Sequence, residues 1–67
     1  MNTDREIFEL ELQKESLEFE ESVAQKTLFA IKSNKFYNST EDKAYFERKQ
    51  QQKKIAFEAM QQQKLNL

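Results

Sequence analysis

Ser33-Asn34-Lys35-Phe36-Tyr37-Asn38-Ser39-Thr40 is the one stretch of this chain that does not read as helix. Serine and asparagine side chains compete for neighbouring backbone groups, so they favour caps and turns over helix interiors. On either side the chain is written mainly in Glu, Lys, Gln, Leu and Phe, and Glu, Lys, Gln and Leu are strong helix formers. Its 67 residues contain no glycine and no proline, where ordinary usage would supply about eight. Nothing else punctuates the backbone. The pattern therefore predicts helices over 4–32 and 41–64, joined by a connection over 33–40.

The flanks of that stretch support the division. Thr3-Asp4-Arg5-Glu6 has the spacing of a reciprocal capping box, in which Thr3 caps a free amide and Glu6 reaches back. Ser39-Thr40-Glu41-Asp42 offers a second cap followed by acids that suit the positive end of a helix dipole. Two helices of roughly 40 Å each with a short link favour an antiparallel hairpin. One uninterrupted helix is the main rival, since nothing forces the turn. A strand reading rests on the alternation Phe8-Glu9-Leu10-Glu11-Leu12 and Leu17-Glu18-Phe19-Glu20. It lacks the Gly or Asn of a tight turn between them, and glutamate is depleted in strands.

An echo runs through the second helix. Residues 44–54, AYFERKQQQKK, and 55–65, IAFEAMQQQKL, share Phe46/Phe57, Glu47/Glu58, three glutamines and Lys53/Lys64. The first helix carries a weaker form in Phe8/Phe19, Glu9/Glu20 and Leu17/Leu28. Eleven residues close three turns at ~3.67 per turn, so such a repeat returns to one face and makes a seam that hardly supercoils. A chain of few letters also produces echoes by accident, but the phase places Phe46 and Phe57 together either way.

The first helix has two apolar stripes. Phe8, Leu12, Phe19, Val23 and Ala30 form one, and Leu10, Leu17, Ala24, Leu28 and Ile31 form another nearly opposite, with glutamates in both seams. An ordinary surface helix has a single stripe. This one asks for two neighbours, and the second helix supplies only one. Its broad face of Ala44, Tyr45, Ile55, Ala56 and Ala59, with Phe46, Phe57 and Met60 to one side, is interrupted by eight polar residues, 47–54. Charge is divided as well: residues 1–31 carry eight acids and three bases, whereas 32–67 carry eight bases and four acids. Opposite signs favour antiparallel pairing and set orientation more than stability.

Chemistry is hard to build from this composition. There is no His and no Cys, which removes the usual general base, thiolate nucleophile and transition-metal ligands. Ser16, Ser22 and Ser33 have no base to activate them, and no glycine loop exists to hold phosphate. Glu11, Glu15 and Glu18 lack the Glu-x-x-His companion of carboxylate di-metal bundles and read as a solvated seam. Arg48, Lys49, Lys53 and Lys54 fan around the helix in a chain of net charge −1, which falls short of a basic nucleic-acid face. Gln50–Gln52 and Gln61–Gln63 read as neutral surface positions, with interhelical amide networks as the alternative.

The reading is an all-α protein, a single helical domain over 1–67. Its two-helix antiparallel hairpin is completed by dimerisation into a four-helix bundle or by docking on a partner. The expected function is non-enzymatic protein–protein interaction by a small regulator, inhibitor or adaptor. Leu10, Leu17, Leu28 and Ile31 are its partner-binding residues, and Phe8, Leu12, Phe19 and Val23 face the second helix. No catalytic, metal or cofactor site is expected, and the partners are a second copy, an unidentified protein, or both. The alternatives are a structural filler of a virion or filament and an amphipathic membrane-surface helix. No apolar run nears the ~20 residues of a membrane span, and Met1 opens no secretion signal, so an intracellular, soluble, cytoplasmic setting is expected.

Overall fold

The computed structural model describes residues 3–65, and the remaining four residues of the expected 1–67 domain lie outside the described residues. Two helices account for nearly all of it: α1 spans Asp4–Lys32 and α2 spans Thr40–Leu65. There is no strand among the described residues. The alternation over 8–12 and 17–20 is therefore helical, with its glutamates on the outer faces. The chain is a helical hairpin.

Local chemistry sets each end. Thr3 Oγ1 accepts from Glu6 N at 3.2 Å while Thr3 N donates to Glu6 Oε2 at 3.4 Å, closing the capping box. At the other end Asn34 turns left-handed, at φ 56°. Lys35 N then donates to Ala30 O at 2.7 Å and Asn34 N to Ile31 O at 3.1 Å. This is the Schellman closure, with asparagine in the place glycine usually takes. Asn is among the few residues that enter this region at modest cost. α2 restarts where Asn38 Oδ1 accepts from Thr40 N at 3.0 Å and Ser39 O accepts from Lys43 N at 2.8 Å. The second helix thus opens one residue ahead of the sequence expectation.

The helices meet along a ladder with an eleven-residue period. Phe8 stacks on Phe57, with ring centroids 4.3 Å apart, and Phe19 stacks on Phe46 at 4.4 Å. The residue numbers in each pair add to 65. Beside these rungs run three ion pairs, Asp4–Lys64 at 2.9 Å, Glu15–Lys53 at 2.7 Å and Lys26–Asp42 at 3.4 Å. Their numbers add to 68. On the other flank Gln50 Nε2 donates to Leu12 O at 3.1 Å and to Ser16 Oγ at 3.0 Å. The repeat is thus the seam itself, expressed on both helices.

That seam revises the expectation for α2. The broad face of Ala44, Tyr45, Ile55, Ala56 and Ala59 stays exposed; Phe46, Phe57 and the polar Gln50 and Lys53 cover α1 instead. Gln50 bridges the helices rather than occupying a neutral surface position. The reason is the pairing of like shapes: Phe46 and Phe57 stack ring on ring with Phe19 and Phe8, which the alanines and Ile55 cannot do.

The hairpin is thin. Its principal extents are 58 × 25 × 8 Å, the breadth of two helices and the thickness of one. Among the described residues only Ala30, 8% exposed beneath the turn, is buried. The accessible surface is 6024 Å², whereas size scaling gives about 4,500 Å² for a compact monomer of this mass. The excess of about 1,500 Å² is the open plank.

Candidate interaction surface

α1 sets its two stripes on opposite sides because each outward leucine stands two residues, ~200° of helix, from an inward group: Leu10 from Phe8 and Leu12, Leu17 from Phe19, Leu28 from Ala30. Rows that face α2 hold Phe8, Leu12, Phe19, Val23 and Ala30, all wholly or partly covered. Half a circumference away stand Leu10, Leu17 and Leu28, with Ala24 beside them. Leu10 is 59% exposed, Leu17 63%, Leu28 56% and Ile31 65%. The first three share one edge of the plank. Ile31 lies about a quarter turn round from it, on a broad face, so the four do not form a single line.

The edge is charged in a definite way. Glu6, Glu21, Lys14 and Lys32 interleave with its leucines. The corresponding edge of α2, turned away from α1, carries Ala44, Arg48, Ile55 and Ala59. Arg5–Glu58 at 2.8 Å joins the helices across one broad face, and Arg5 also lies 5.5 Å from the Phe57 ring centroid. All the ion-paired side chains are at least 37% exposed. Such pairs contribute about 0–1 kcal/mol each, so they fix orientation more than they stabilise.

The turn carries a second exposed apolar group that the sequence stripes did not include. Phe36 is 89% exposed and Phe29 70%. With Tyr37 they line a shallow depression flanked by Lys26 and Lys35. Tyr37 donates its hydroxyl to Asp42 Oδ2, and Lys26 pairs with the same carboxylate while lying 5.6 Å from the Tyr37 ring centroid. The Tyr37 hydrogen bond, with help from Lys26, holds the Asp42 carboxyl below its usual range. The same bond to Asp42 pushes the Tyr37 phenol up. Phe36 sits among poor helix formers, so no periodicity could have flagged it; its size in an otherwise polar connection was the only signal.

The other sequence candidates disperse. Glu15 is taken by Lys53, Lys14 lies 4.0 Å from Glu18, and no cluster of three potential metal ligands exists among the described residues. Of the basic run, Lys53 pairs with Glu15 and Lys49 lies 5.4 Å from the Tyr45 ring centroid, so they do not share one free face. No described helix is long and apolar enough to cross a membrane. No protein family matches the chain, and no curated protein or solved structure matches it.

Proposed function

We propose that this hairpin is a non-enzymatic protein–protein interaction module, a small regulator, inhibitor or adaptor that acts by occupying a partner. Leu10, Leu17, Leu28 and Ile31 are its contact residues. The observation that carries the reading is the uncovered apolar edge of α1 on a molecule that buries only Ala30 among its described residues. Covering each of those four side chains is worth about 1–2 kcal/mol, since each is already partly shielded. Exposed large apolar side chains aligned along one edge of a small protein, as Leu10, Leu17 and Leu28 are, with Ile31 round the side, favour an interaction site.

The occupant is another helix. A straight edge of leucines spaced at whole turns accepts an amphipathic helix laid alongside it. The four-helix dimer expected from the sequence is one such cover, and a helix of a different protein is another. A structural subunit of a larger assembly is the second reading, favoured by the elongated plank with both long edges open.

Leu17→Glu is the test, because Leu17 lies mid-edge and touches neither the Phe stacks nor the ion pairs. The variant should keep its helical circular dichroism and lose association, read as molar mass by light scattering and as recovery of bound protein from the native source. If self-association and every partner contact survive the change, the edge is not the interaction surface.

A further inference from the structure

We propose that the hairpins associate head to tail, the Leu10–Leu17–Leu28 edge of α1 docking antiparallel on the Ala44–Ile55–Ala59 edge of α2 in the next copy. This rests on reading the α1 edge as an interaction surface, and it names the partner as a second copy and the docking site on it. The carrying observation is that the eleven-residue register that closes the hairpin also closes this outer contact.

Within the hairpin, moving round the seam from the ion-pair row to the Phe row lowers the pair sum from 68 to 65. A step of one row therefore changes the sum by three, as two antiparallel helices of this period require. On the outer edge of α1 one row holds Glu6, Leu17 and Leu28, and the adjacent row holds Leu10, Glu21 and Lys32. The matching rows of α2 hold Ala44 and Ile55, then Arg48 and Ala59. Sums of 72 and 69 obey the same step. They oppose Leu17 with Ile55, Leu28 with Ala44, Leu10 with Ala59 and Glu21 with Arg48. Every leucine meets an apolar group and Glu21 meets a base, while Glu6 and Lys32 fall opposite positions outside the Ala44–Ala59 edge. The stagger from the inner register is half a repeat, about 8 Å.

Competing arrangements are worse on the same count. Slipping one repeat down sets Leu10 on Arg48 and Glu6 on Ile55. Slipping one repeat up sets Glu21 on Ala59 and Lys32 on Arg48. Pairing two α1 edges antiparallel sets Leu10 on Glu21 in one register, and Glu21 on Glu21 with Leu10 on Lys32 in the next. It also brings together two segments of eight acids and three bases, whereas α1 on α2 joins unlike charge. Like-charge juxtaposition disfavours the wrong partner more than matched pairs strengthen the right one.

Neither Glu21 nor Arg48 takes part in an ion pair within the hairpin among the described residues. Both are exposed, and Glu21, whose Oε1 accepts from Gln25 Nε2 at 3.5 Å, keeps its second oxygen for a neighbour. Because the edges lie on opposite sides of the plank, satisfying one leaves the other open. A heterologous contact of that kind continues into a row of helices unless its rotation closes a ring.

The experiment uses the full chain and its Glu21→Arg and Arg48→Glu variants, with circular dichroism to verify that the hairpin stays helical. Light scattering over a concentration series should show the mass of the unaltered chain rising past a dimer. Each charge reversal should weaken association about ten-fold, since attraction becomes repulsion. An equimolar mixture of the two variants should restore it, because each then offers the edge the other needs. A helical monomer at all concentrations, a plateau at the dimer, or a mixture that restores nothing overturns the proposal. Leu17→Glu separates the two readings: if it abolishes binding of another protein while the unaltered chain stays monomeric, the interaction edge stands and only the head-to-tail partner falls.

Discussion

Phe19→Leu probes what joins the two helices. The Phe19 ring lies 4.4 Å from that of Phe46 with planes 3° apart, and both are only partly covered. Leucine keeps most of the apolar contact and removes the stack, so the cost is the geometric part of the aromatic pair, about 1 kcal/mol. For a domain of this size that lowers the melting temperature by roughly 4–8 °C. The assay is thermal denaturation followed by circular dichroism, at one protein concentration and extended to a double-mutant cycle. Phe19→Leu with Phe46→Leu should show a coupling of about 0.5–1.5 kcal/mol. Phe19→Leu with Phe57→Leu should be additive, because those rings stand one repeat apart, ~16 Å along the axis. Equal coupling in both cycles, or none in the first, would mean that the rungs do not act as separate stacked pairs.

Two further outcomes follow from the turn. Asn34→Ala should destabilise the hairpin by about 1 kcal/mol and Asn34→Gly should not, because φ 56° penalises a Cβ that cannot hydrogen-bond locally; chemical denaturation of both variants decides it. The Asp42 carboxyl is held below its usual value, so its contribution is present above the unfolded carboxylate pKa and is lost as pH falls through the lower folded value. The raised Tyr37 phenol works in the opposite sense, contributing below its unfolded pKa and losing that as pH rises through the folded one. Tyr37→Phe should return the Asp42 titration toward the ordinary range, as read by carboxyl NMR, and an unchanged midpoint would rule out the hydroxyl as its main cause.

Much of the architecture could be read from the residues themselves. Thr3 and Glu6, the poor helix formers from Ser33 to Thr40, and the recurrence of Phe46 at Phe57 each exert their effect within a few turns. The choice of α2 face was not legible by hydrophobicity, because Ile55, Tyr45 and three alanines outweigh two phenylalanines and a glutamine in apolar content. What decided it was shape at that spacing: Ala44/Ile55 and Tyr45/Ala56 also recur every eleven residues, but only Phe46 and Phe57 set an aromatic ring opposite both Phe8 and Phe19. Gln50 escaped for a related reason. An amide looks neutral on a helical wheel until the opposing helix presents a carbonyl and a hydroxyl at the same level, as Leu12 and Ser16 do. The outward leucines were visible as a stripe, but the proposed cover belongs to a second molecule, on which this chain bears only through register and charge.

The polarity of the three ion-pair rungs carries a consequence of its own. A seam with an eleven-residue period is almost degenerate under translation: sliding one helix by a repeat would still stack Phe8 on Phe46, or Phe19 on Phe57. Asp4–Lys64 and Glu15–Lys53 place the acid on α1, but Lys26–Asp42 places it on α2. That single inversion works as a key cut. A slide one way brings Glu15 against Asp42, and a slide the other way brings Lys26 against Lys53, so only one alignment leaves every rung with opposite charges. A ladder that adds little to the depth of the folded minimum thereby decides which of several near-copies of that minimum the chain occupies.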